Sequence, residues 1–333
     1  MKLDAALAPA NLRDAPAQAA AAEALGFDAV WTSETQHDPF LALALAAEHT
    51  RRLGLGTAVA IAFARSPTVL AHTAWDLAGT SDGRFMLGVG TQVRPHIERR
   101  FGLAWPASPV HALREYIQAL RAVWQAWQTG ERLNYRGETY RLTLMTPFFS
   151  PAPIEHPSIP IYLAGVNRGL IQLAGECADG LHAHPLHSAR YLHEVVHPAL
   201  RDGAARAGRD AGRVAVSASV FTVSGPDEAD FARSQIAFYA STPSYRPVLE
   251  LHGWETVADR LGALARRGAW AELPALISDE MLQTFAVVAQ PGELAGALRQ
   301  RYHGLADRLT LYLPFRPGER DSFWKDLAIR LAG

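Results

Sequence analysis

Residues 53–91 read LGLGTAVAIAFARSPTVLAHTAWDLAGTSDGRFMLGVGT, and this stretch decides the fold. Residues 53–61 and Phe85–Gly90 are apolar runs without alternation. Between them lie an apolar-periodic segment that begins at Pro67 and a turn at residues 81–84. Strands that are apolar on both faces are typical of parallel sheets, in which a helix joins one strand to the next. The stretch therefore predicts a strand–helix–strand unit.

The same alternation continues on both sides of this unit. Further strands are predicted at residues 3–8, 28–33, 161–164, 181–184, 214–223 and 308–313, with helices between them. Eight strands alternating with eight helices predict an α/β protein, a (β/α)8 TIM barrel formed by residues 1–333 as a single domain. Since such a barrel needs about 250 residues, the surplus is assigned to two insertions. They are residues 131–159 after the fourth strand, where a hairpin is predicted, and residues 225–300 after the seventh.

Three short motifs in the first unit stand at a characteristic spacing. They are LGTAV at residues 55–59, Ser66-Pro67 at a helix start, and GRFMLGVGT at residues 83–91. Together they resemble the bacterial luciferase-like superfamily of luciferase-like monooxygenases and F420-dependent oxidoreductases, and the chain is most similar to a subgroup labelled F420-dependent. The resemblance implies an oxidoreductase that transfers a hydride between coenzyme F420 and a small organic substrate. The alternative is an FMN-dependent monooxygenase that uses reduced flavin and oxygen.

The candidate cofactor residues lie at the carboxyl ends of strands, where barrel enzymes carry their chemistry. The resemblance implies that residues 58–61 form a bulge against the ring, with a cis peptide between Ala58 and Val59, and that residues 90–92 border the ring's edge. It also places the cofactor phosphate at residues 165–167, directly after Ala164, where a helix begins and N–H groups favour an anion. These residues are Ala58, Val59, Ala60, Ile61, Gly90, Thr91, Gln92, Ala164, Gly165, Val166 and Asn167.

The candidate catalytic residues follow the second strand. Deazaflavin-dependent members of the family commonly carry an acid there, followed directly by a histidine. Glu34 occupies the acid position, Thr35 stands where the histidine would be, and His37 lies two residues further on. Because a histidine with a pKa near neutrality suits general base catalysis, His37 is the candidate base. A loop histidine is also compatible with an ordinary surface role, so a non-catalytic flavin-binding barrel stays open.

The candidate substrate contacts are Arg94, His96 and His184. Arg94 and His96 belong to a basic cluster after the fourth strand, which suits an anionic substrate or the cofactor's tail. Val93 stands where the sugar-phosphate dehydrogenases of the family place an acid, so the role of that acid does not transfer to this chain. His184 ends the sixth strand and is expected in the pocket wall.

His182 and His184 also form a pair with the spacing of zinc ligands on one strand face. Barrel hydrolases that resemble this arrangement carry the pair on the first strand and add a lysine from a later one. The first strand here has no histidine, and the only lysines are Lys2 and Lys325. A zinc-dependent hydrolase is therefore a remote alternative, and no metal is expected.

Composition is compatible with a cytoplasmic protein of enzyme size, and the resemblance implies a small-molecule substrate. The net charge of −1 gives no general attraction to nucleic acid or to anionic membranes. Cys177 is the single cysteine, which excludes an internal disulfide and suits a reducing compartment. No apolar run approaches the roughly 20 residues that span a bilayer. A homodimer is expected from the resemblance alone.

Overall fold

Eight parallel strands form a closed barrel in the computed structural model, which describes residues 1–332. The barrel strands are β1 (Lys2–Ala6), β2 (Ala29–Thr32), β3 (Gly54–Thr57), β4 (Phe85–Gly90), β5 (Ile161–Ala164), β6 (Gly180–Ala183), β7 (Ala215–Val223) and β8 (Arg308–Leu311). Strand β8 pairs with both β1 and β7, and β7 pairs with β6, so the sheet closes on itself. The predicted (β/α)8 barrel is confirmed.

Helices cover the outside of the barrel, and a side chain caps the start of several of them. Asp38 accepts a hydrogen bond from the backbone N–H of Phe40 at 2.8 Å, and Ser66 accepts one from Val69 at 3.2 Å. Such caps satisfy N–H groups that have no partner within the helix. The helices that connect or follow the strands are Ala15–Leu25, Pro39–His49, Pro67–Thr80, Pro109–Thr129, Arg168–Cys177, a helix over residues 189–206 with a π-helical turn at Leu192–Val196, and Asp321–Ala332.

The third strand differs from its predicted continuous range of residues 53–61. Strand β3 ends at Thr57, the peptide between Ala58 and Val59 is cis, and Ala60–Ile61 then pairs again with β4. Two residues leave the ladder here, which hydrophobic patterning alone does not reveal. A short helix, Arg94–Arg99, also follows β4.

The first insertion contains the predicted hairpin, with Tyr135–Arg136 antiparallel to Arg141–Leu142. Glu115 anchors its turn from the neighbouring helix. Its carboxylate accepts hydrogen bonds from the backbone N–H groups of Glu138 and Thr139 at 2.7 Å each and of Tyr140 at 3.1 Å.

The second insertion is mostly helical. Its helices are Pro226–Ala240, Arg246–Glu250, Glu255–Arg266, Asp279–Phe285 and Leu294–Tyr302. It also contains a strand that the sequence pattern does not predict, Ala286–Val288, which pairs with the end of β7. Three apolar residues directly after a helix are too few to distinguish a strand from the helix end. Within residues 1–332, none of the helices has both the length and the apolar character needed to cross a bilayer.

The lower half of the barrel interior is filled by large side chains that face glycines. Trp31 and Tyr162 are almost fully buried there, and their rings contact each other edge to face at 5.5 Å. A Cβ atom on Gly56 would overlap the Trp31 ring, and one on Gly180 would overlap the Tyr162 ring. The glycines of β3 and β6 thus leave the space that the aromatic side chains of β2 and β5 occupy.

A buried ion pair joins the first and last strands inside this layer. Arg308 donates two hydrogen bonds of 2.7 Å to the carboxylate of Asp4, and the indole N–H of Trp31 donates a third of 2.8 Å. Burial alone would lower the pKa of Arg308, but attraction to Asp4 and hydrogen bonds with it raise that pKa. We therefore assign the charged form to the pair. It ties β8 to β1 where the barrel closes.

Candidate active site

A cavity of about 1450 Å³ opens at the carboxyl end of the barrel. Its depth reflects a change of side-chain size along the strands. Trp31 and His182 line it at the level of the filled interior, whereas the next inward positions carry small residues. These residues are Ala6, Ala58, Gly90, Ala164 and Ser219. Because ligand pockets commonly measure roughly 300–1,000 Å³, the cavity has room for a tricyclic cofactor together with a substrate.

The segment with the cis peptide forms one wall of this cavity, and the loop after β2 holds it. The hydroxyl of Ser33 donates to the carbonyl of Ala58 at 2.8 Å. The backbone N–H of Glu34 donates to the carbonyl of Val59 at 3.3 Å. In return, the backbone N–H of Ile61 donates to the Glu34 carboxylate at 2.7 Å. Three hydrogen bonds therefore fix the shape of this wall.

Glu34 is itself held by Arg65. The guanidinium donates to the two carboxylate oxygens at 2.6 and 2.8 Å, and it also donates to the carbonyl of Ile61 at 3.1 Å. Burial alone would lower the pKa of Arg65, but hydrogen bonds and charge attraction from Glu34 raise it. The Glu34 side chain is only 8% exposed, and both of its oxygens are engaged. This arrangement suits a residue that positions the wall, and its catalytic role stays a prediction.

Two glycine-containing turns complete the rim. A Cβ atom on Gly90 would lie 2.9 Å from the side chain of Val59, so only glycine allows the two strand ends to approach this closely. Gly165, Val166 and Asn167 line the cavity at the start of helix Arg168–Cys177. The side chain of Asn167 accepts a hydrogen bond from the backbone N–H of Leu170 at 3.0 Å and so caps this helix.

His182 lies on the cavity floor among aromatic rings. Its ring centroid is 4.7 Å from that of Trp31 and 5.1 Å from that of Tyr162. Burial, reinforced by the charge of Arg308, lowers the pKa of His182 to about 3, so the ring is neutral near pH 7. Within residues 1–332, no group of three or more His, Cys, Asp or Glu side chains is arranged to hold a metal ion.

His184 lies on the opposite wall, in a group of tyrosines that the sequence does not single out. Its ring stacks on Tyr245 at 4.2 Å and contacts Tyr239 edge to face at 4.5 Å. The hydroxyls of Tyr239 and Tyr312 are 2.7 Å apart. Tyr312 follows β8 at the barrel mouth, and that position alone marks it as a candidate; Tyr239 and Tyr245 come from the second insertion and carry no comparable signal.

Most of the predicted site residues come together at this cavity. Those that line it are Glu34, Ala58, Val59, Ile61, Gly90, Thr91, Gln92, Arg94, Ala164, Gly165, Val166, Asn167 and His184. Arg94 is largely exposed and pairs with Glu98 at 2.8 Å. The structure does not bring the remaining three into the lining, since Ala60 is buried in the sheet and His37 and His96 are exposed on the surface.

Comparison with known families decides the affiliation. Residues 2–308 match the model of the family described as luciferase-like monooxygenase. The chain belongs to this family. An uncharacterized protein of Mycobacterium tuberculosis is 48% identical to this luciferase-like chain over 315 residues, which cover 93% of this chain and 92% of that protein.

Relatives with a named activity are more distant. The 5,10-methylenetetrahydromethanopterin reductase of Archaeoglobus fulgidus is 26% identical over 310 residues, which cover 90% of each chain. Among solved structures, the coenzyme F420 dependent tetrahydromethanopterin reductase of Methanopyrus kandleri has a TM-score of 0.79 at 19% identity, covering 100% of this chain and 98% of that one. Solved structures of the same fold also include a Baeyer-Villiger monooxygenase in complex with FMN. The chain is thus similar to oxidoreductases of both cofactor types.

Proposed function

We propose that this luciferase-like protein is an oxidoreductase that transfers a hydride between coenzyme F420 and a small organic substrate. One observation carries the proposal. A single cavity of about 1450 Å³ is bordered by three segments from different strand ends, namely Ala58, Val59 and Ile61, residues 90–92, and residues 165–167. Sequence resemblance assigned these segments to the ring wall, the ring edge and the phosphate, and their convergence supports that assignment.

The chemistry of the cavity fits a large, flat and partly anionic cofactor. Ala58 and Gly90 are small and leave space at the wall for a planar ring. At another strand end, the turn at Gly165 precedes a helix whose amino end favours negative charge, as a cofactor phosphate requires. We therefore assign the ring to the first group and the phosphate to the second.

The named relatives favour the deazaflavin over FMN. The methylenetetrahydromethanopterin reductase matches along 90% of both chains, and the solved tetrahydromethanopterin reductase is described as coenzyme F420 dependent. The alternative, an FMN-dependent monooxygenase, is supported by the description of the matching family as luciferase-like monooxygenase and by likeness of fold to the FMN-containing monooxygenase.

Under this proposal the cofactor, when bound, supplies the hydride chemistry, and the protein supplies orientation and a dry site. Ser33 and Glu34 hold the wall segment in shape, with Arg65 fixing Glu34. The second insertion carries Tyr239 and Tyr245 into the cavity lining. There they can cover the substrate and limit the access of water during transfer.

Reconstitution tests the proposal. The purified chain is titrated with F420 and, separately, with FMN, and each dissociation constant is measured by fluorescence quenching. We expect F420 to bind more tightly, and its visible absorption to bleach without oxygen when an alcohol substrate is added. Tighter binding of FMN with substrate-dependent oxygen uptake would establish the monooxygenase instead. Cofactor binding without turnover of any substrate class would indicate a non-catalytic barrel.

A further inference from the structure

We propose that His184, Tyr239, Tyr245 and Tyr312, here called the ring cluster, form a subsite for an uncharged planar carbonyl compound or the corresponding alcohol, whose oxygen accepts a hydrogen bond from Nε2–H of His184. All four residues line the cavity. The inference rests on the proposed function for the reaction, but the binding that it predicts does not require the cofactor.

The geometry of the ring cluster favours a flat ligand. His184 lies face to face with Tyr245 at an interplanar angle of 23°, and Tyr239 meets His184 at 89°. Tyr239 and Tyr312 are joined through their hydroxyls at 2.7 Å, and the Tyr312 hydroxyl also donates to the side chain of Gln235 at 3.3 Å. Rings held at these angles present both faces and edges, which are the surfaces that a planar π-system contacts best.

The orientation of His184 follows from its neighbours in the loop after β6. Its Nδ1 accepts a hydrogen bond from the backbone N–H of Leu186 at 3.1 Å. Because Nδ1 is the acceptor, the neutral ring carries its proton on Nε2. The carbonyl of His184 contacts Nδ1 of His187 at 2.7 Å, and Nε2 of His187 lies 3.0 Å from the hydroxyl of Tyr302. Within residues 1–332 nothing hydrogen-bonds Nε2 of His184, and the residue faces the cavity. This N–H group is therefore available to a bound molecule.

The surroundings of the ring cluster oppose a charged ligand. In the part of the chain that the structure describes, no ion pair or cation–π contact involves any of the four residues. Burial, with a smaller contribution from His187, lowers the pKa of His184 to about 3, and burial raises the pKa of Tyr245 to about 12. The same low polarity that keeps both groups neutral would penalise an ionised substrate.

Charged residues of the cavity lie elsewhere or are already paired. Glu34 is bound by Arg65, and Arg94 follows a different strand and pairs with Glu98. Arg316 lines the cavity after β8, but it is 64% exposed and lies 3.6 Å from Glu319. The guanidinium groups of Arg94 and Arg316 suit the cofactor's anionic part better than a substrate enclosed by the ring cluster.

The test measures binding of three probes to the full chain without cofactor, by isothermal titration calorimetry. Acetophenone is planar and carries a carbonyl, ethylbenzene lacks the oxygen, and glucose 6-phosphate is anionic and not planar. We expect acetophenone to bind most tightly and glucose 6-phosphate to show no measurable binding. The cofactor is absent from the cell, so a failure of F420 to bind would not alter this result, and the two proposals can fail separately.

Variants then test the individual contacts. His184→Phe keeps an aromatic ring but removes Nε2–H, so acetophenone affinity should fall about fivefold while ethylbenzene affinity changes less than about twofold. Tyr245→Leu removes the stacked ring and should weaken both probes by about threefold or more. Tyr239→Leu, which removes the ring that meets His184 edge to face, should likewise weaken both probes and provides a second variant if Tyr245→Leu unfolds. Phe148→Leu, at a side chain that is 89% exposed, is the matched control.

Circular dichroism melting confirms that each variant is folded before its binding is measured. Three results would overturn the inference: binding of glucose 6-phosphate as tight as that of acetophenone, no binding of acetophenone, or unchanged acetophenone affinity in folded His184→Phe. Equal losses for acetophenone and ethylbenzene in His184→Phe would also contradict it, because they would show that the imidazole acts only by packing.

Discussion

Glu34 and Arg65 are separated by 31 residues in the sequence, yet they form a two-point ion pair at the wall of the cavity. Glu34 follows β2, and Arg65 comes just after Ala60–Ile61, the segment with which the pair shares hydrogen bonds. The pair therefore connects the loop after β2 to the cavity wall, and this is the wall against which we place the cofactor ring.

Replacing Glu34 with Gln should weaken cofactor binding and lower stability. The amide leaves Arg65, whose side chain is only 17% exposed, with Asp38 at 3.5 Å as its remaining carboxylate partner. Because removing one partner of a buried pair costs about 3–5 kcal/mol and this pair is partly open to solvent, we expect a loss of about 1–3 kcal/mol. Urea unfolding measures the loss, and a fluorescence titration measures cofactor affinity.

Asp326→Asn is the control for that variant. Asp326 pairs with Arg330 on an exposed helix surface, and both side chains are about half exposed. Such pairs contribute little, so stability should change by less than about 1 kcal/mol, and cofactor affinity should not change. If Glu34→Gln behaved like this control, the pair would not be fixing the cavity wall.

Gly56→Ala should destabilise the barrel because the added methyl group would overlap the Trp31 ring. Overpacking of this kind costs about 1–3 kcal/mol. Gly225→Ala is the matched control, since its backbone is extended and a Cβ atom there meets nothing within 4 Å. Thermal unfolding of both variants and of the Gly56→Ala/Trp31→Leu double variant provides the test. A double variant no more stable than Gly56→Ala would argue against the clash.

Asp4→Asn should be the most destabilising of the variants considered, because it leaves the buried guanidinium of Arg308 without its counter-charge. Breaking a buried pair in this way costs about 3–5 kcal/mol. The double variant Asp4→Asn/Arg308→Met removes both charges and should recover part of the loss. Urea unfolding at neutral pH compares the two, and a double variant less stable than the single one would contradict this account.

Glu115 should make stability depend on pH in the acid range. Burial alone would raise its pKa, but three backbone hydrogen bonds from the hairpin turn lower it overall. A carboxyl whose pKa is lower when folded stabilises the fold above its ordinary pKa of 4.5, and this contribution disappears as the pH falls through the lowered value. Glu115→Gln should therefore lose stability at pH 7 and show a shallower decline toward pH 3.

Glu23→Gln is the control that distinguishes loss of the hairpin anchor from loss of any carboxylate with three backbone hydrogen bonds. Glu23 likewise accepts three backbone hydrogen bonds, from Arg51, Arg52 and Leu53, but not from the hairpin. Hydrogen exchange of the hairpin amides should increase in Glu115→Gln and stay unchanged in Glu23→Gln. An identical exchange pattern in the two variants would show that Glu115 does not anchor the hairpin.

The barrel could be predicted from the sequence because its signals are local. Apolar runs mark the strands, and residues such as Asp38, Ser66 and Asn167 mark helix starts through contacts within three positions of the chain. The strand ends that border the cavity then follow from the architecture itself. Gly90 and Gly165 reach the same cavity because parallel strands end at one rim.

The remaining parts of the site depend on contacts between distant segments. The pairing of Glu34 with Arg65 requires knowing how the chain turns after β2 and beyond residue 61. His184 meets Tyr239 and Tyr245 only because the second insertion folds back over the mouth, and no periodic pattern encodes that path. His37 lies two residues beyond Thr35, which lines the cavity, but is itself exposed and outside the lining, so its role as the base stays a prediction.

The filling of the barrel by Trp31, Tyr162 and the Asp4–Arg308 pair has a consequence for the order of events. A barrel sealed at its base can exchange molecules only through its mouth. When two ligands lie one behind the other in this cavity, the deeper one must bind first and leave last. Steady-state kinetics of such a protein should therefore follow a compulsory sequence of association and release.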